Sequence, residues 1–574
     1  MTSAKGNLEV VLDKRGLLKL KPGDYKATGG EGSIYVASAT VIKIYTDTGK
    51  MQRENIPDKI ELLAKIQHPC IVAPQGLVRS PSGEPIGYYM DFADAEPLPR
   101  VFTGDFQQSH GFGKDEASKL VEGMRGVVST AHEYQAVMVD ANEMNWLVDL
   151  KQKSKPEPKA IDVDSWAIGK WPATVIMLSI RDWHSKTFDQ LTDWFAWGVV
   201  TFQVYAGIHP YKGTLDGFKR GDIVSRMKAN ASVFAPGVKL NNAVRDFNVI
   251  PGQLLDWYRA TFQDGLRAKP PSPYATGLAT VVVQKHRAQI TASGVLVYDK
   301  LFEDLTNAAL KVFHCGAVLL KSGDVIDLSS KKKPFKNADT DCEIIKTDHG
   351  WVRGEVKANV GKFFFSDGEK EKELPLELTT RKLVRYENRL FAVTEKGLSE
   401  LVLHHFGRPV LSLGNTWGAM INSTNWFDGV GVQDAFGATF VITPFSTNSC
   451  IQLRVKELDG WSVITAKSGY RFISLIAINN QGQYRKFELT LDERYDNYKL
   501  WQGDVDSAEH NLAILPRGVV ASILNDGELC IFVPLNGSIK KVADKFISTD
   551  MQLSTWDQKV IYLKDGAVWS VKMS

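Results

Sequence analysis

VMVDANEMNWLVDL (residues 137–150), followed by KAIDVDSW (159–166), decides how this chain is read. Asp140 and Asn145 stand five apart, and an apolar run continues from Trp146 to Leu150. KQKSKPEPK (151–159) has the polar, proline-containing composition of a turn, and Ala160 and Ile161 return as a second run that delivers Asp162. The pattern predicts a β-hairpin with a carboxylate and an amide at its entrance and a carboxylate at its exit. Phosphoryl transfer uses such a set of oxygens. One carboxylate lies near the attacking hydroxyl, and an amide oxygen and a second carboxylate hold the metal ions that neutralise the phosphates.

Upstream, ATGGEGSIY (27–35) is glycine-rich, and glycines let backbone amides approach phosphate oxygens without obstruction by side chains. The same composition also suits an ordinary hairpin turn. In the next strand Lys43 sits between apolar neighbours, one hairpin after the glycines. A helix is expected over Ile56 to Ile66, and a further strand over Gly87 to Phe92. Downstream, helical periodicity covers Lys114 to Tyr134 and Asp193 to Gly207, and AKPPSP (268–273) breaks the pattern. A helical tail is expected over Val281 to Gln289.

In order and spacing these motifs resemble the protein kinase family, over roughly residues 20 to 285. The resemblance implies an α+β, bilobal protein kinase-like fold and Ser/Thr-type transfer of the ATP γ-phosphate to protein hydroxyls. Gly29, Gly30 and Gly32 would form the phosphate loop, with Ala27 where a first glycine is usual. Val41-Ile42-Lys43 is similar to V-A-I-K, so Lys43 would meet the α- and β-phosphates. Glu61, or Glu54, would be its helix partner; counting back from His68, the usual glutamate position falls on Lys59. Met90 would back the adenine pocket, the backbones of Asp91 and Ala93 would bond the adenine edge, and Ile34, Val41 and Leu147 would enclose the ring. AHEYQAVMVD (131–140) matches the catalytic-loop run, making Asp140 the catalytic carboxylate. Asn145 and Asp162 would then hold Mg²⁺ or Mn²⁺. DWFAWGVV (193–200) and GIHPY (207–211) resemble the later C-lobe motifs, and Asp193 would anchor the catalytic loop. Arg267 matches a late C-lobe arginine whose partner here would be Asp182 or Asp189.

The chain departs from the family at Met138 and Val139, where His and Arg are usual, and at Asn142, where Lys is common. It departs again at Asp164, in place of the glycine of Asp-Phe-Gly. Of these, Asn142, Met138 and Asp164 support the alternative of an ATP-binding pseudokinase scaffold with little or no transfer.

From about Val295 the texture changes to short β-rich runs ended by Gly or Asn turns. Runs beginning at Arg389, Ala438, Tyr470, Gly518 and Lys559 are roughly 30 to 50 residues apart, the spacing of propeller blades. An all-β domain, a β-propeller of five to seven blades, is expected, with a pair of β-sandwiches as the alternative. Turns are expected at Asn525-Asp526-Gly527 and Lys564-Asp565-Gly566. The expected boundaries are 1–95 for the kinase N-lobe, 96–290 for the C-lobe and 295–574 for the β domain. Such a domain would bind a protein partner, recruiting substrate or regulating the kinase, with Trp417, Trp426 and Lys331 to Lys333 as candidate contacts.

At 574 residues the chain exceeds one ordinary core. A net charge of +3 gives no argument for nucleic acid or a membrane surface, and no apolar run is long enough for a bilayer. Five scattered cysteines without metal-ligand spacing, and no apolar leader, predict reduced thiols in a cytoplasmic protein.

Overall fold

The computed structural model describes residues 8–173, 176–275, 296–446, 448–524, 527–544 and 546–573. The chain is rich in β-structure, with its helices concentrated between residues 98 and 262. An antiparallel seven-stranded sheet comes first. Its strands are β1 (Leu8–Leu12), β2 (Gly16–Leu20), β3 (Tyr25–Thr28), β4 (Gly32–Ala37), β5 (Thr40–Tyr45), β6 (Gly76–Arg79) and β7 (Pro85–Asp91), in the order β2-β1-β6-β7-β5-β4-β3. β5 is covered on both faces. Ile42 packs with Val10, Leu20, Val78 and Tyr89 on one face, and Val41 with Met90, Ile60 and Leu77 on the other. Alternation along the strand places Lys43 and Tyr45 on the Val41 face, and the register sets Tyr88 of β7 opposite Lys43. Two short helices, Thr48–Arg53 and Ile56–Leu63, follow β5.

The next region is built on the buried helix Gln190–Ala206, which packs against the long helix Lys114–Glu133. Asp189 caps the first of these through the amides of Leu191 and Thr192, and Gly207 closes it in the left-handed conformation, φ 73°. Strands Trp146–Asp149 and Glu157–Ala160 pair in antiparallel register, with Trp146 opposite Ala160, so the hairpin expected after Asn145 is present.

Beyond residue 295, the described residues form seven small antiparallel sheets in sequence. In six of them the strands are consecutive. In the seventh, Leu296–Phe302 pairs with the last strand, Ala567–Met573, so the series closes on itself. Pairing first strand to last ties the two ends of this region into one sheet. The runs at Arg389, Ala438, Tyr470, Gly518 and Lys559 fall in five different sheets, and the Lys564–Gly566 turn joins two paired strands. The Val281 to Gln289 stretch, and Asn525 and Asp526 of the other expected turn, lie outside the described residues. Trp426 is buried at 6 % exposure, which removes it as a surface contact. The lysine run is engaged locally: Lys331 bonds the Leu301 carbonyl, and Lys332 and Lys333 pair with Glu369 and Asp324. All five cysteines are free thiols. Among the described residues no helix is long and apolar enough to cross a membrane.

The closed β region touches both preceding regions. Asn422 donates to the carbonyls of Gly23 and Val36, Tyr25 donates to Asp434 at 2.9 Å, and the Tyr25 and Phe436 rings lie 4.1 Å apart. Below, Lys153 pairs with Asp339, and Lys212 bonds the Asp506 carbonyl at 2.7 Å. Gly482 reaches Ser179 so closely that a Cβ there would fall 2.3 Å from the Ser179 hydroxyl oxygen.

Candidate functional site

Lys43 projects from β5 with its side chain only 7 % exposed. Its ammonium lies 2.7 Å from Asp164 Oδ2, 3.2 Å from Asp162 Oδ1 and 3.5 Å from Glu31 Oε2. Burial opposes the Lys43 charge, but Asp164 and Asp162 outweigh it and hold the lysine protonated, above its ordinary range. Asp164 is the hub of the cluster. Besides Lys43 it accepts the hydroxyls of Tyr88 at 2.6 Å and Tyr45 at 2.7 Å, while its backbone carbonyl accepts from Lys59 at 2.6 Å. Burial works against the Asp164 carboxylate, yet Lys43 and the two hydroxyls keep it below its usual value. Asp162 moves the other way, raised by burial and by the neighbouring Asp164 charge. Its side chain remains 40 % exposed.

Local backbone geometry delivers these groups. Asp162 adopts the left-handed conformation, φ 58°, and opens a short turn over Val163–Ser165. The Asp162 carbonyl accepts from both the Ser165 amide and the Ser165 hydroxyl. Asn145 donates from Nδ2 to the Asp140 carbonyl at 2.8 Å, and its own carbonyl accepts the Ile161 amide at 3.0 Å. These two bonds tie the Asp140 loop to the strand exit that carries Asp162. The Asp140 carboxylate accepts the Met177 amide at 2.8 Å, and burial raises its pKa against that bond.

The structure thus brings Lys43 and Asp162 into contact and bonds Asn145 to the Asp140 backbone. Gly29 and Gly30 form the turn between β3 and β4, with the Gly29 amide on the Gly32 carbonyl. Gly32 is required by packing, since a Cβ would fall 2.4 Å from the Ile44 carbonyl oxygen. Val41 and Met90 are buried together with Ile34 packed against them, Asp91 and Ala93 follow at the strand end, and Leu147 pairs with Pro97. Glu61 is not brought in. It lies exposed on the outer face of its helix, as does Glu54 at the turn before it, while Lys59 is buried at 1 % exposure. One helical turn admits only one of these positions to the interior, and the apolar neighbours Ile60 and Leu63 select Lys59. Of the two partners considered for Arg267, Asp182 is the one used, through a bidentate pair at 2.5 and 2.9 Å, whereas Asp189 caps the helix.

Sequence reasoning missed Tyr45, Tyr88, Glu31 and the pairing role of Asp164. The signal for the tyrosines was present: alternation puts Tyr45 on the Lys43 face. It also missed His132, which bonds Asp193 at 2.9 Å.

No family model matches the chain, and no curated protein matches it.

Among the described residues no three His, Cys, Asp or Glu side chains cluster so as to hold a metal ion by themselves. Mg²⁺ carried on a nucleotide needs less, since it binds through one or two protein groups and keeps phosphate and water ligands. The half-open Asp162 carboxylate and the Asn145 amide oxygen fit that requirement. A cavity of about 780 Å³ opens elsewhere, between residues 104–113, 242–249 and the β region near Glu509, and none of the Lys43 cluster lines it.

Directly beyond Asn142, Glu143 is buried at 2 % exposure with Oε2 unpartnered, facing the junction with the β region near Lys212 and Tyr484. Burial, partly offset by its own amide and by Lys212, pushes its pKa from 4.5 up to about 7. A carboxyl raised on folding takes up a proton, so its contribution to stability falls as pH climbs from 4.5 to about 7 and is level above. Glu143→Gln is therefore expected to match wild type near pH 4 and to exceed it by roughly 3 kcal/mol at pH 8. Urea unfolding at the two pH values checks this, and equal gains at both would refute the assignment.

Proposed function

We propose that the chain is an ATP-dependent phosphotransferase of the Ser/Thr protein kinase type. In this reading residues 1–95 and 96–290 are the two lobes, and residues 295–574 form a seven-bladed β-propeller that binds a protein partner. The observation that supports it most is the meeting of Lys43 and Asp162 at 3.2 Å from positions 119 apart, behind a glycine turn and beside the Asp140–Asn145 loop. Lys43 would orient the α- and β-phosphates, and Asp162 and Asn145 would hold the ion. Asp140 would orient the acceptor hydroxyl and receive its proton. The bound Mg²⁺ or Mn²⁺ would supply neutralisation of the phosphate charge. Low exposure of Lys43 keeps its field unscreened by water.

One observation favours the alternative, a nucleotide-binding scaffold with little transfer: the Asp140 carboxylate is already engaged by the Met177 amide. The deciding experiment follows ATP γ-phosphate transfer with Mg²⁺ or Mn²⁺ to the protein itself and to a generic basic protein. Wild type is expected to transfer, and Asp140→Ala to fall by about 10²–10⁴-fold while still binding nucleotide. Nucleotide binding without transfer in wild type would establish the scaffold, and absence of both would reject the nucleotide site.

A further inference from the structure

We infer that Asp164 and Lys59 are an exchanged pair: Asp164 positions Lys43 from the loop, and Lys59 holds that loop from the helix. The inference rests on the nucleotide-site reading and deepens it, since it names what sets the position of the phosphate-binding lysine.

Two features of the sequence that looked unrelated become one in three dimensions. The helix carries a lysine where a carboxylate would be expected to face Lys43, and the loop carries Asp164 where a glycine would be expected. A buried ammonium needs an anionic or carbonyl partner, and a buried carboxylate needs donors. Each supplies the other's neighbourhood. Lys59 donates to the Asp164 carbonyl at 2.6 Å, and the Asp164 carboxylate, turned the other way, takes Lys43, Tyr45 and Tyr88. The Asp164 carboxylate is 2 % exposed, so these interactions are not traded with water. Asp58 and Glu61, the two carboxylates of this helix, are exposed, and the carboxylates paired with Lys43 are Glu31, Asp162 and Asp164. The helix therefore meets the polar partners of Lys43 through the loop, by way of Lys59 and the Asp164 carbonyl. A shift of residues 162–166 would move Lys43, whereas a shift of the helix acts on it at one remove.

The test uses full-length Lys59→Glu, Asp164→Gly and the double variant. Asp164→Gly strips Lys43 of its closest carboxylate and leaves Lys59 beside it. Lys59→Glu sets a carboxylate against the Asp164 carbonyl. The double variant places a carboxylate on the helix with the Asp164 carboxylate removed from the loop. Each single change is expected to raise the KM for ATP about tenfold or more, leaving the KM for the acceptor protein within about twofold, and the double is expected to recover most of the loss. A double variant no better than the worse single, or singles like wild type, would overturn the pairing.

Should a variant fail to fold, Asp164→Asn, Lys43→Met and their combination are compared by thermal unfolding without nucleotide. A combined loss smaller than the sum of the single losses is expected, because both remove the same ion pair. Additive losses would reject the inference. This second measurement needs no ATP, so it decides the Lys43–Asp164 half of the inference even where wild type shows neither binding nor transfer and the nucleotide reading itself fails.

Discussion

On the proposed nucleotide-site reading, Asp162→Ala is expected to abolish stabilisation by Mg²⁺-ATP and to lower phosphate transfer by about 10²–10³-fold. Asp162 is the most open of the three carboxylates in contact with Lys43, at 3.2 Å and 40 % exposure. Asp164 cannot replace it, because its oxygens are filled by Lys43, Tyr45 and Tyr88. Removing Asp162 leaves that buried cluster whole, so the loss should fall on the ion and the phosphates rather than on folding. The backbone at this position is left-handed, φ 58°, which alanine tolerates at a cost of about 1–2 kcal/mol. Asp162→Asn separates the two effects. Asparagine accepts the left-handed conformation readily and keeps the shape, but carries no charge. Thermal shifts with Mg²⁺-ATP and rates of γ-phosphate transfer are the measurements. An Asp162→Asn protein that retains the full Mg²⁺-dependent shift would remove Asp162 from the ion site.

Much of this arrangement could be read from the sequence because it depends on local patterns. The hairpin between Asn145 and Asp162 follows from two apolar runs and a polar turn, and the helices over Lys114–Glu133 and Gln190–Ala206 follow from apolar spacing and from the Asp189 cap. What escaped was set by distant contacts. The sequence could place both Lys59 and Glu61 on a helix, but only the burial of Ile60 and Leu63 shows which faces inward. Asp164 looked like a departure from a motif because its partners Lys43, Tyr45 and Tyr88 lie more than 70 residues away. In the β region, the sheet of Ala309–Val312, Ala317–Leu320 and Val325–Asp327 was hard to see. Its strands are short and run into the polar lysine segment at 331–333. The closing pair, Leu296–Phe302 with Ala567–Met573, joins the two ends of the region and leaves no local trace.

Asp193→Ala is expected to destabilise the chain by about 3–5 kcal/mol and to silence Asp140 without touching it. Asp193 is fully buried and accepts the amides of Met138 and Val139, both at 2.8 Å, and His132 at 2.9 Å. Its loss would strand two buried amides and an imidazole without an acceptor. The larger consequence is conformational. Val139 sits at φ 60°, a conformation that a β-branched residue occupies only under constraint, at about 1–3 kcal/mol. The two amides that meet the Asp193 oxygens belong to the successive residues Met138 and Val139, so this single carboxylate holds the strained turn whose next residue is Asp140. Without it Val139 would relax to an ordinary backbone angle and carry Asp140 out of register with Asn145. His132 donates to the same carboxylate from the long helix, which ties the loop to that helix as well. Asp193→Asn retains one acceptor oxygen and should lose less stability than Asp193→Ala. Urea unfolding of both variants, read beside transfer activity, tests the argument. An Asp193→Ala protein within about 1 kcal/mol of wild type would mean that the loop is held by packing alone.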